Sequence, residues 1–146
     1  MSRAEGALAL LLRIEAAIVL FALPAVVMPT AWMGAVHGWL GLSELPRAPI
    51  VEYLTRSLSL LYVGWAPLLW VMAGDLRRYL PLVWVFGWMS LVGGFAFLAL
   101  DLCVGMPPAW VVSEAAMVLG FAVVGLLLTW RVQRQAPPSQ LREAAS

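Results

Sequence analysis

Lysine is missing from this chain; all nine of its basic residues are arginine, and it holds one cysteine and one histidine. A lone cysteine, Cys103, cannot close a disulfide within the chain or build a cysteine metal cluster. A lone histidine, His37, cannot supply both axial ligands of a bis-histidine haem, nor a multi-histidine zinc site. There is no H-E-x-x-H run, no nucleophile elbow and no phosphate-cradling glycine loop. No catalytic residue, cofactor or metal site is therefore expected, and the chain does not read as an enzyme. Charge is scarce as well: 12% of residues are charged, against about 25% in an ordinary soluble domain. With no basic stripe and no soluble recognition module, nucleic acid is not an expected partner.

What is abundant is apolar surface. Hydrophobic residues make up 63% of 146. A soluble domain this small leaves much of its surface exposed and could not hide so much. Lipid is the natural solvent for it. The length allows one domain, expected over residues 1–132, with a disordered cytoplasmic tail at 133–146.

Four spans can be read along the chain. Residues 1–12 look like a short amphipathic lead-in. Arg13 and Glu15 interrupt the apolar run that follows, which argues against a cleaved signal peptide. The first span is expected to begin between residues 8 and 14 and run to about residue 28, with a kink at Pro24. Arg13 is expected to snorkel to the near interface with Glu15 beside it. Over 30–42, Trp32, Val36, Trp39 and Leu40 fall roughly on one helical face. That predicts a short helix in the membrane interface, with Thr30 as its N-cap. Pro49 suits a first helical position, and the second span is expected over 49–73. A tight polar loop at 74–81 leads to a third span at 82–102, and Gly105 to Pro108 break the chain before a fourth at 108–132. The short connections predict neighbouring antiparallel hairpins. Ser90 with Gly94, and Ala116 with Gly120, have the small-xxx-small spacing that lets helices approach closely in lipid.

Arginine placement orients the bundle. Arg3, Arg13, Arg77, Arg78, Arg131, Arg134 and Arg142 fall on one side of these four spans, and only Arg47 and Arg56 on the other. The positive-inside rule makes the richer side cytoplasmic, so both termini are expected there.

The stretch from Pro46 to Tyr62 is the polar exception. Glu52 and Arg56 share a helix face at i, i+4 spacing. With the second span centred near Leu61, Arg56 would lie about 7 to 8 Å outside the midplane. Glu114 falls at a similar depth and Asp101 further out. The candidate site is a polar pocket or ion-pair cluster in the outer half of the bundle, formed by His37, Glu52, Arg56, Tyr62, Asp101 and Glu114. An intramembrane ionisable group is costly and marks a functional site by default, but structural ion pairs gather the same groups. Both readings stand at this stage. Cys103 is expected to be a buried, inert thiol.

Met28-Pro29-Thr30, Trp32-Met33, His37, Trp39-Leu40-Gly41-Leu42, Pro49, Tyr53-Leu54 and Arg56-Ser57 make the segment resemble small uncharacterised four-span bacterial inner-membrane proteins. In overall build the chain is similar to the DoxX-like membrane proteins. The resemblance implies a bacterial inner-membrane location and carries no catalytic residue.

The expected fold is an all-α antiparallel four-helix transmembrane bundle with a short interfacial helix between helices one and two. The leading expectation is a non-catalytic structural or accessory subunit. Its partners would be the bilayer and either further copies of the chain or a larger membrane complex. The alternative is a protein that binds or transports a small molecule, an ion or a lipid through the outer polar pocket. A membrane redox accessory of the DoxX-like kind is a third reading.

Overall fold

A computed structural model describes residues 2–42 and 44–135. Its helices are α1 (Arg3–Leu20), α2 (Leu23–Val27), α3 (Thr30–Trp39), α4 (Pro49–Gly74), α5 (Leu76–Val104) and α6 (Pro108–Gln135). Four stretches are long and apolar enough to cross a membrane: Arg3–Val27, Pro49–Gly74, Leu76–Val104 and Pro108–Gln135. The protein is an all-α four-helix bundle and an integral membrane protein, with α3 between the first two spans. Its outer faces carry exposed Leu60, Trp70, Val92 and Leu102. Such a surface suits hydrocarbon and would be costly in water.

The first helix starts earlier than the apolar run. Ser2 caps it: its hydroxyl accepts from the Glu5 amide at 3.2 Å, and the Glu5 carboxylate accepts from the Ser2 amide at 2.8 Å. This is the reciprocal S-x-x-E capping box. Residues 3–12 are therefore part of the span. Leu8 and Leu12 are among the most buried side chains, packed with Ala16, Leu69 and Met72. The expected kink is a full break. Pro24 has no N–H for the Leu20 carbonyl, and its ring crowds that carbonyl. The chain turns through Phe21 and Ala22 and resumes as α2.

Other boundaries shift for local reasons. Pro29, not Thr30, caps α3; Thr30 is its first helical residue. The loop expected at 74–81 shrinks to Asp75, whose side chain accepts from the Arg78 amide at 3.3 Å and caps α5. Pro81 is tolerated in α5 because, near the helix start, its missing N–H leaves only the Arg77 carbonyl without its partner. The fourth span continues to Gln135, where the Arg134 guanidinium lies 3.8 Å from the Trp130 ring centroid. Residues 133–135 of the expected tail are thus helical, and the rest of that tail lies outside the described residues.

Packing is unequal around the bundle. The closest pairs are α5 with α6 and α1 with α4; α1 also meets α6, joining the two pairs. Despite their tight turn, α4 and α5 touch far less, and there the Trp65 ring meets Phe86 at 5.8 Å. Two glycines explain the α5–α6 seam. A Cβ on Gly87 would come within 2.9 Å of Leu126, and one on Gly94 within 2.6 Å of Leu119. Both lie on the α5 face that meets α6. Gly93, one residue along, has open space around it.

Gly94→Val should therefore overpack the seam and lower stability by about 1–3 kcal/mol. Gly93→Val should cost well under half of that. Denaturant unfolding in detergent, followed by circular dichroism, measures both, and equal losses at the two glycines would contradict this packing.

Candidate functional site

Two contacts tie polar residues to the two ends of the first span. At the end that carries the termini, Arg77 donates to Glu5 at 3.0 Å. At the other end Arg56 donates to the carbonyls of Val26 and Met28, at 2.6 and 3.0 Å. From Glu5 to Val26 the helical rise carries the chain about 30 Å, the thickness of a hydrocarbon core. Arg56 therefore stands level with the end of the first span that lies away from the termini. The first two turns of α4 project past that end.

Arg56 makes four hydrogen bonds. Nε and Nη2 donate to Glu52 Oε1 at 3.1 and 2.8 Å, and the remaining bonds go to the Val26 and Met28 carbonyls. Those carbonyls lie at the C-terminal end of α2, where the chain turns away into Pro29 and the next helical N–H is missing. A guanidinium at a helix C-terminus also meets the negative end of the helix dipole. The same side chain thus caps the broken first span and ties it to α4. The rigid fork of arginine suits this; a lysine ammonium would not span these acceptors.

The other expected members do not join Arg56. Asp101 and Glu114 approach each other across the α5–α6 seam. Glu114 accepts from the Trp110 indole at 2.9 Å. Asp101 is buried, with Oδ2 unpartnered. Its backbone carbonyl accepts from the amides of Gly105 and Met106, closing α5 with Gly105 in the left-handed region. Tyr62 is 43% exposed on α4. His37 sits in the last turn of α3 with a buried, unpartnered Nδ1. Thr55 and Ser59 spend their hydroxyls on carbonyls of their own helix, at 2.8 Å each. Of the expected site residues Arg56 bonds only Glu52, while Tyr62, Asp101 and Glu114 lie near one another where α4 faces the α5–α6 seam.

Beside Glu52 lies a cleft of about 690 Å³, lined by Thr30, Gly34, Glu44, Arg47, Pro49 and Glu52 among others. Glu44 and Arg47 in this lining were not among the expected site residues. Thr30 lies close to the Glu52 carboxylate. Among the described residues, no three His, Cys, Asp or Glu side chains are placed to hold a metal ion. Cys103 is exposed rather than buried, because it falls on the outward face of the last turn of α5.

Glu15, expected near the inner end of the first span beside Arg13, lies midway along it between Glu5 and Val26. It turns inward while Arg13, two residues before it, is exposed on the other side of α1. The signal that could have found this was the capping box, which moves the start of the span back toward Ser2 and its centre toward Glu15.

No protein-family model, no curated protein and no solved structure matches the chain.

Replacing Arg56 with Met should lower stability by about 1.5–3 kcal/mol, the range for hydrogen bonds to a charged group. Arg56→Lys should recover little of it. Glu52→Gln should cost much less, because the Glu52 carboxylate is exposed and its pairing is screened by solvent. Unfolding in detergent micelles tests the set. Equal losses at Glu52 and Arg56 would mean that the ion pair, not the carbonyl cap, carries the interaction.

Proposed function

We propose that this protein is a small non-catalytic subunit of the bacterial inner membrane that works by associating with other transmembrane helices. The observation that supports this reading is a shallow groove of about 230 Å³ on the outer side of α1 and α6, lined by Leu11, Ala116, Met117, Gly120, Phe121 and Val124. Ala116 and Gly120 stand one helical turn apart within it, and a Cβ on Gly120 would meet nothing within 4 Å. Between α5 and α6 the close approach at glycine is already filled by the partner helix. Here the small residues face lipid instead. Without a hydrophobic force between helices in lipid, association depends on such close packing. The partner is a helix of a second copy or of a larger complex. Both termini are cytoplasmic on the arginine count.

A binding or transport role is the second reading, and the cleft beside Glu52 favours it. It requires a polar solute whose binding is lost in Glu52→Gln while helix association survives.

Cys103, the single cysteine and an exposed one, allows both association and topology to be measured. Donor- and acceptor-labelled protein mixed in liposomes should show energy transfer that falls as lipid is added. Gly120→Leu should remove most of it. Absence of transfer in the unaltered protein, with no membrane protein co-purifying, would overturn the association reading. In intact cells a membrane-impermeant maleimide should label Cys103, and a phosphatase fused after Ser146 should be inactive. The opposite pattern would refute the orientation.

A further inference from the structure

Glu15 has no role in the association just proposed, yet it is the most exceptional ionisable group in the molecule. It stands at the midpoint of the first span. Leu11, one turn before it, lies against Gly125 of α6. That register puts Glu15 level with Phe121, close to the middle of α6, while Ser90 is the middle of α5. These groups line a small internal void of about 10 Å³ where α1, α5 and α6 meet; its wall includes Glu15, Phe86, Gly87, Ser90, Phe121 and Ala122. Glu15 Oε2 is sealed and has no hydrogen-bond partner.

The surroundings offer no counter-charge. From α5 the void receives Val83, Phe86, Gly87 and Ser90, and from α6 Phe121, Ala122 and Gly125. None of these titrates. Among the described residues the ion pairs are Arg56 with Glu52 and Arg77 with Glu5, and neither reaches Glu15. A bare carboxylate in hydrocarbon without a cation or a donor is among the costliest arrangements a membrane protein can hold. A neutral acid is far cheaper, but it still needs polar partners. Ser90 is suited to supply one. Thr55, Ser59 and Thr129 each donate to the carbonyl one turn back, at 2.7–2.8 Å. Ser90 makes no such bond among the described residues, so its hydroxyl is uncommitted. The void has the volume of about one water molecule, the smallest group able to bridge the two side chains.

We propose that Glu15 is the binding site of one exchangeable proton at the centre of the membrane, held as a neutral acid and linked through a single water to Ser90. The ligand class is the proton itself; the void has no room for an organic solute. The site stands apart from the outer cleft and shares only Leu11 and Phe121 with the wall of the α1–α6 groove, whose Ala116 and Gly120 it does not use, so its failure would leave the association reading untouched.

Full-length protein in liposomes tests it with two probes. A hydrophobic carbodiimide reacts with a protonated acid in an apolar setting, and peptide mass mapping should find the adduct on Glu15. A water-soluble carbodiimide should not place one there. Infrared spectroscopy should show a carboxylic-acid C=O band that is absent in Glu15→Gln, shifted in Ser90→Ala, and reversibly weakened as the bulk pH is raised. Labelling of Glu15 by the water-soluble reagent would overturn the proposal, as would the absence of that band. A band present but unchanged across the pH range of the folded protein would also overturn it, by showing a fixed rather than an exchangeable proton. Ser90→Ala keeps the acid and its helix intact, so the spectroscopic test does not depend on whether Glu15→Gln folds.

Discussion

Within hydrocarbon a backbone carbonyl that loses its helical partner must find another inside the protein, because no water is at hand. The first span faces that demand where α2 ends before Pro29, which has no N–H to continue the helix. The carbonyls of Val26 and Met28 are left open there, and Arg56 answers both. The consequences spread from there. The bond fixes the level at which α4 passes the end of the first span, and so lets the start of α4 project beyond it. The projecting turns, with α3 and the 44–49 segment, then enclose the cleft beside Glu52. Glu52 is the minor partner: it orients the guanidinium from the solvent side, whereas the carbonyls need it.

The bundle sorts its polar groups by depth. At the two boundaries, charges are paired: Glu5 with Arg77 at one end, Glu52 with Arg56 at the other. Boundary pairs can be hydrated and cost little. Between the two ends the hydroxyls of Ser59 and Thr129 bond to their own helices, which leaves few polar atoms unanswered. Glu15 departs from this pattern. A packing role alone would be served as well by Leu or Met, without the expense of burying an oxygen.

Much of the fold was legible in the sequence, for physical reasons that also explain the misses. Span number and approximate ends follow from apolar length and from Pro49, Gly105 and Pro108, since lipid admits only closed helices. The break at Pro24 follows from a missing N–H. The face each helix turns to its neighbours did not follow. In a helix that is apolar all round, periodicity does not separate the lipid side from the protein side. For that reason Glu15 could not be assigned inward, and the thin α4–α5 contact could not be foreseen from a short turn. The start of α1 was written plainly in Ser2 and Glu5, but the charges at Arg3, Glu5 and Arg13 drew the boundary inward. Of the expected site, the pairing of Glu52 with Arg56 was readable from i, i+4 spacing. The separation of Asp101 and Glu114 from that pair was not, because it depends on how α4 sits against the α5–α6 seam.

The same depth argument bears on what the unequal packing is for. The α5–α6 seam is closed by glycines and tight at two levels a fixed two turns apart. The α1–α4 pair is bound at both ends, by buried Leu8 and Leu12 with Met72 near the termini and by Arg56 at the far side. These are two firm hairpins, and they meet chiefly through α1 and α6. Glu15 lies at that joint, midway along the first span. A single polar group placed between two internally rigid units has more influence on how they fit than one placed within either. A charged Glu15 would draw water into the joint, and a neutral one lets it close. The void beside Glu15 is walled by α1, α5 and α6, so this one side chain meets both pairs at their main line of contact.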